Sequence, residues 1–171
     1  MSDGGRRHGE HEVDLYLVRH AHAGDAETWR GPDEARPLSA RGREQTARLA
    51  AFLHRLGGAP GLILTSPKLR ASETAAPIAD AIGAQVRAEP ILAEAPDLLD
   101  LERLLAAAGD PASVLIVGHD PDLTSILEEI TGATSIPLPK AALARVTSSR
   151  PLVPGSGVLR WLLPPDVLPE A

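Results

Sequence analysis

Three apolar runs in this chain stop at residues suited to handling a phosphoryl group. VDLYLV ends at Arg19 and His20, GLILT leads through Ser66 and Pro67 to Arg70, and SVLIVG ends at His119. A guanidinium presents a planar fork of donors that matches phosphate oxygens, and two of them can hold the equatorial oxygens where charge lies in an in-line displacement. A neutral imidazole can attack phosphorus, and a histidine of ordinary pKa, about 6.5, is mostly unprotonated near neutral pH. Nearby arginine charges favour that neutral form further. One histidine can therefore be the nucleophile while the other donates a hydrogen bond to the phosphoryl group. Taken singly, an arginine after a strand is usually solvated and a histidine usually structural, so the reading rests on all four converging.

Convergence depends on the elements that carry them. The three runs are short, apolar and rich in β-branched residues, as buried strands are. Between the first two, AHAGDAETWRGPDEARPL carries Gly24, Gly31, Pro32 and Pro37 and reads as a long loop, a length usually reserved for function. Ser39 predicts a capped helix to about Leu56, with Thr46, Leu49, Phe52, Leu53 and Leu56 on one face and Gly57 and Gly58 after it. RASETAAPIADAIG reads as a second helix ending at Gly83, which Pro77 should kink or delay. Val86 to Leu92 suggests a short strand interrupted by Pro90, and Asp97 to Ala108 a helix with leucines at helical spacing. Asp120 and Pro121 form a cap and first-turn pair for a helix to about Thr131, closed by Gly132. ALARVTS and GVLRWLL, on either side of PGSG, suggest two antiparallel strands.

Strands alternating with helices predict an α/β fold. Its form is a three-layer α/β/α sandwich with a mostly parallel sheet and an antiparallel C-terminal edge. In such sheets ligands bind outside the carboxyl ends of the strands, which is where Arg19, His20, Arg70 and His119 stand.

At this point the residues carry a resemblance. LYLVRHAHAG resembles the Arg-His-Gly signature of the histidine phosphatase superfamily, with Ala21 in place of the usual glycine. TSPKLRASETA resembles its second-arginine motif and VGHDP its second-histidine motif, in family order. The ARPLSARG segment, the short chain and the compact C-terminal part are similar to the SixA-like phosphohistidine phosphatase branch. The resemblance runs from about Val13 to Leu163. It implies a hydrolase in which His20 becomes phosphorylated, Arg19 and Arg70 clamp the phosphate, and His119 is the second imidazole of a substrate-binding pocket. No metal and no cofactor are implied. The implied substrate is phosphohistidine in a protein, with a small phosphorylated molecule as the alternative. Ser66 matches a small hydroxyl residue of the motif and is expected to shape the loop. Leu92-Ala93-Glu94 is similar to the segment that supplies a glutamate acid in many members, which makes Glu94 the candidate acid. Asp25, Glu27, Asp33 and Glu34 are further candidates in the long loop. Ala21, lacking glycine's freedom, should occupy an ordinary backbone region, and His22 is either pocket wall or a solvated loop residue.

Composition limits the rest. A chain of 171 residues is expected to hold one domain, here 13–171, behind a loose polar tail, 1–12, in which His8 and His11 are solvated. With 2% aromatic residues and a net charge of −6, nucleic acid is not an expected partner. No apolar stretch approaches the roughly 18 residues of a membrane span, so no membrane partner is expected and a cytoplasmic location is the default. The absence of cysteine excludes a thiolate nucleophile and thiolate zinc ligands. Two rival readings remain. A metal-binding module could use His20, His22, His119 and Asp120, though two arginines at the same spot would repel a cation. A non-catalytic phosphopeptide-binding module would keep the arginines but would not need His20.

Overall fold

The computed structural model describes residues 11–170, and His8 lies outside them. The predicted runs become strands of one sheet: β1 (Glu12–Arg19), β2 (Leu62–Thr65), β3 (Gln85–Ala88), β4 (Ser113–Gly118), β5 (Leu143–Ser149) and β6 (Gly157–Leu163). Their order is β3-β2-β4-β1-β5-β6. The first four run parallel, and β5 and β6 add an antiparallel edge. Glu12, expected in the tail, opens β1, and His11 accepts a backbone hydrogen bond from Arg150.

Four helices cover this sheet: α1 (Ala40–Leu56), α2 (Leu69–Ile82), α3 (Leu98–Ala107) and α4 (Asp122–Thr131). Alternation along β1 divides the core into two layers, because successive strand side chains point to opposite faces. Leu15 and Leu17 pack with Leu101 and Leu105 of α3 and Leu123 and Leu127 of α4. Tyr16 and Val18 pack with Leu49 and Leu53 of α1 and Ile78 of α2. Each fully buried leucine or isoleucine contributes about 1.5–3 kcal/mol, so the sheet that positions the strand ends is held from both faces. Phe52 is only partly buried, and Leu56, expected on the same face, is exposed at the helix end.

Caps and breaks follow local chemistry, with instructive departures. The Ser39 hydroxyl accepts from the Gly42 N–H at 3.1 Å, and Asp97 and Asp100 form a reciprocal capping box. Pro77 neither delays nor ends α2, which begins at Leu69 and runs through it. The proline lies on the exposed face, where water can solvate the carbonyl left without a donor. The strand expected from Val86 to Leu92 stops at Ala88, and Pro90, lacking an N–H, opens a short 3-10 turn to Ala93. Asp120 does not cap α4; Pro121 occupies that position, because the Asp120 carboxylate is engaged by the Thr124 hydroxyl and faces Arg19 instead.

Candidate active site

Register sets the site. β1 and β4 are parallel with Arg19 opposite Gly118, and the His20 N–H donates to the Gly118 carbonyl at 3.0 Å. β2 ends level with them, with Thr65 opposite Val117 and the Ser66 N–H donating to the Val117 carbonyl at 3.0 Å. His20, Ser66 and His119 therefore leave the sheet side by side. Arg70 arrives from the first turn of α2, just beyond β2. The chain ahead of β5 closes the other side, where the Ala141 N–H donates to the carbonyls of Arg19 (3.0 Å) and His20 (3.2 Å). The four predicted residues thus meet at one edge of the sheet, and the rings of His20 and His119 lie 5.2 Å apart.

The hydrogen bond of the His20 ring assigns its proton. His20 Nδ1 lies 2.8 Å from the Ala21 carbonyl, an oxygen that can only accept, so Nδ1 carries the proton and Nε2 keeps a free lone pair. His119 Nε2 lies 2.7 Å from the Ser66 hydroxyl. That hydroxyl also accepts from the Lys68 N–H at 3.3 Å, and in the tautomer where its own proton goes to His119 Nε2, the His119 proton sits on Nδ1. His20 offers a bare lone pair, and His119 presents a buried Nδ1 without a partner. Both are held neutral. Burial, followed by the charges of Arg70 and Arg19, lowers His20 to about 4. Burial, then His20 and Arg70, lowers His119 to about 3. Histidine resonances followed by NMR from pH 7 down to 5 should therefore show both rings neutral throughout, since the proton is excluded until well below the ordinary value near 6.5. Titration of either ring near 6.5 would contradict this burial.

The arginines are anchored by their termini. Arg70 donates to the Asp33 carbonyl (2.8 Å) and to Asp33 Oδ2 (2.9 Å). Arg19 donates to the Leu138 carbonyl at 2.9 Å and lies 3.6 Å from Asp120. Their Nε atoms are buried and unpartnered, as is His119 Nδ1. Of the four buried side-chain nitrogens without a partner among the described residues, three belong to this one site, the fourth being Arg145 Nε. Buried donors are nearly always satisfied, so such a concentration points to an anion acceptor.

The loop after His20 is pinned to the head of α1. Ala21 is buried, its N–H donating to the Thr74 hydroxyl at 3.1 Å. The His22 N–H donates to Gln45, and the His22 carbonyl accepts from the Ser39 N–H at 2.9 Å. The His22 ring is itself tied in, with Nδ1 accepting from the Gly24 N–H and 2.7 Å from the Ser39 hydroxyl. Gly42 permits this closeness, because a Cβ there would lie 2.0 Å from the His22 carbonyl oxygen.

Residues 15–104 match the family described as the histidine phosphatase superfamily (branch 1). The chain belongs to that superfamily. It is 30% identical over 118 residues to the 8-oxo-(d)GTP phosphatase of Mycolicibacterium smegmatis, a match covering 67% of this chain but only 36% of that protein's length. It is 27% identical over 158 residues to the phosphohistidine phosphatase SixA of Escherichia coli, covering 90% of this chain and 94% of SixA. The solved structure of the protein histidine phosphatase SixA complexed with tungstate superposes with a TM-score of 0.80 at 25% identity, over 92% of this chain and 100% of the other.

Within this histidine phosphatase chain, Glu94 is exposed and makes none of the side-chain hydrogen bonds or ion pairs that connect the four residues. Asp33, weighed as an acid, instead holds Arg70. Burial alone would raise its carboxyl, but hydrogen bonds from Arg36 and Arg70 keep it below the ordinary carboxylate range. Asp25 and Glu27 are linked to each other in an exposed turn, and Glu34 is exposed. His22, Ser39 and Gln45 serve loop anchoring, and among the described residues no three His, Asp or Glu side chains stand together as metal ligands. Sequence reasoning missed Asp33 as the partner of Arg70 and Ser66 as the partner of His119. The single available signal was the position of Ser66, one residue beyond a strand end.

Proposed function

We propose that this phosphatase removes phosphate from phosphohistidine in a protein, without a metal, through a phosphohistidine formed on His20. The observation that carries the reading is the pair of neighbouring imidazoles, one with a free lone pair, beside the buried and unpartnered Nε–H groups of Arg19 and Arg70. His20 Nε2 attacks phosphorus as the bond to the leaving group breaks. Arg19 and Arg70 hold the equatorial oxygens through Nε, and His119 donates from Nδ1. Water then attacks the phosphorylated His20, freeing inorganic phosphate and restoring the neutral imidazole.

The leaving group favours phosphohistidine. A phosphoimidazole can be protonated on its distal nitrogen and leave as neutral imidazole, whereas an alkoxide needs a proton from a positioned acid. Around the site, the Asp33 and Asp120 carboxylates face Arg70 and Arg19, and Glu94 is exposed. The relationship to SixA supports the same choice. A second reading, hydrolysis of a small phosphorylated molecule, is supported by the relationship to the 8-oxo-(d)GTP phosphatase. It would need a positioned acid to protonate the leaving alkoxide.

A substrate panel in the presence of a chelator tests the proposal. Phosphate release from a phosphohistidine protein should persist under chelation, while alkyl phosphates are turned over slowly and Glu94→Gln changes neither. Activity lost with the chelator would refute the metal-free step. Fast hydrolysis of an alkyl phosphate, lost on Glu94→Gln, would move the substrate to small molecules and identify the acid.

A further inference from the structure

The long loop between β1 and α1 is gripped at both ends by the head of α2. Thr74 accepts from the Ala21 N–H at 3.1 Å, and Glu73 accepts from the Leu38 N–H at 2.6 Å. Arg70, one turn earlier, reaches the far part of the same loop at Asp33. Every residue from Asp25 to Ala35 is exposed, so a guanidinium of the site takes its two protein hydrogen bonds from a residue out in solvent. The Arg70 side chain is 6% exposed and the Asp33 side chain 50%. An ion pair to so exposed a carboxylate is worth little by itself, and any freedom of Asp33 would pass directly to Arg70. A further contact must hold Asp33 still.

Arg36 supplies it. Its Nε and one terminal nitrogen both donate to Asp33 Oδ1, at 3.1 and 3.0 Å, which leaves Oδ2 to Arg70. Its other terminal nitrogen donates to the Ala23 carbonyl at 3.1 Å and lies 3.5 Å from the Gly24 carbonyl. Local sequence sets the side chain there. Pro37 disfavours the helical region for the residue before it, so the 3-10 turn Asp33–Ala35 ends at Arg36, whose ψ is 116°. The Arg36 side chain is only 11% exposed. It bridges Ala23, three residues beyond His20, and Asp33, the partner of Arg70, and so ties the segment that follows the nucleophile to the residue that holds the second arginine. Only a planar fork of donors makes these bonds together; a lysine ammonium on its flexible stem does not.

We propose that Arg36 is a positioning residue for phosphoryl transfer: it braces the loop and, through Asp33, holds the Arg70 guanidinium in the orientation that leaves its buried, unpartnered Nε–H for the phosphoryl group. This rests on the phosphatase reading and deepens it, since it makes the set of Arg70 depend on a residue that does not touch the phosphoryl group. Arg36 spends its donors on the Asp33 carboxylate and the Ala23 carbonyl, so its effect reaches the reaction only through Arg70.

Steady-state kinetics on the full-length protein, with a phosphohistidine protein and with an aryl phosphate, test the brace. Arg36→Ala should lower kcat by about tenfold to a hundredfold, the scale set by misplacing a group that acts on the transferring atoms, with KM little changed. Arg36→Lys, which keeps the charge and most of the bulk, should recover little of it and carries the test if the alanine variant does not melt cooperatively. The deciding measurement is the cycle with Arg70. In the Arg70→Ala protein, removing Arg36 should cost less than about twofold, because the group it positions is gone. The full loss persisting in that background would show that Arg36 merely supports the loop, and would overturn the proposal. The factor should also be the same for both substrates, which share only the phosphoryl group. A loss confined to one of them would make Arg36 a contact to the leaving group and overturn the proposal as well. Unchanged kcat in Arg36→Ala and Arg36→Lys would overturn the brace alone. A native protein that releases phosphate from neither substrate would overturn the phosphatase reading and the brace with it.

Discussion

Replacing His20 by alanine is expected to abolish turnover and covalent labelling together, by at least about 10⁴-fold in kcat, as for removal of other nucleophiles. The chain has no cysteine to substitute, and the Ser66 hydroxyl is committed to His119 at 2.7 Å. The free lone pair of His20 Nε2 depends on the Ala21 carbonyl holding the other ring proton, so no neighbouring group inherits the role. Folding should survive, because the buried ring is neutral and leaves no unpaired charge when removed. A cooperative melt near that of the native protein, with no phosphate incorporated from a radiolabelled phosphohistidine donor, is the expected result. A variant that is still fully active, or still labelled, would exclude His20 as nucleophile.

Arg70→Ala should retain the His20 nucleophile and lose about 10²–10³-fold in kcat, corresponding to about 2.7–4 kcal/mol for removal of one preorganised donor. Arg70→Lys should recover little, since a lysine cannot hold Asp33 and present a further N–H in one plane. The complication is that Arg70 is also the partner of Asp33, with bonds of 2.8 and 2.9 Å. A double-mutant cycle with Asp33→Ala separates the two roles. If Arg70 acts on the phosphoryl group, its removal still costs most of that factor when Asp33 is absent. If its work is to hold the loop, the second substitution adds almost nothing. A change confined to KM would make Arg70 a contact to the ground state only.

Much of this was legible in the amino-acid sequence because it depends on neighbours along the chain. The apolar runs ending at Val18, Thr65 and Gly118 became parallel strands, and Ser39, Gly83 and Gly132 bound helices as expected. The rule that parallel sheets bind ligands at their carboxyl ends was enough to bring Arg19, His20, Arg70 and His119 to one edge. What tertiary structure alone decided is who touches whom. Ser66 and His119 are 53 residues apart, Asp33 and Arg70 37, and Arg19 and Leu138 119. Those pairs exist because β1, β4 and β2 lie side by side in a particular register and because loops fold back over their ends. Neither is encoded in local propensity. The same cause explains Asp120, whose local pattern promised a helix cap but whose carboxylate faces Arg19, brought to it across the sheet. Residue types announced the chemistry and the neighbouring Ala21 carbonyl sets the His20 proton, while the meeting of the two imidazoles and the pairing of His119 with Ser66 came from long-range packing around the strand ends.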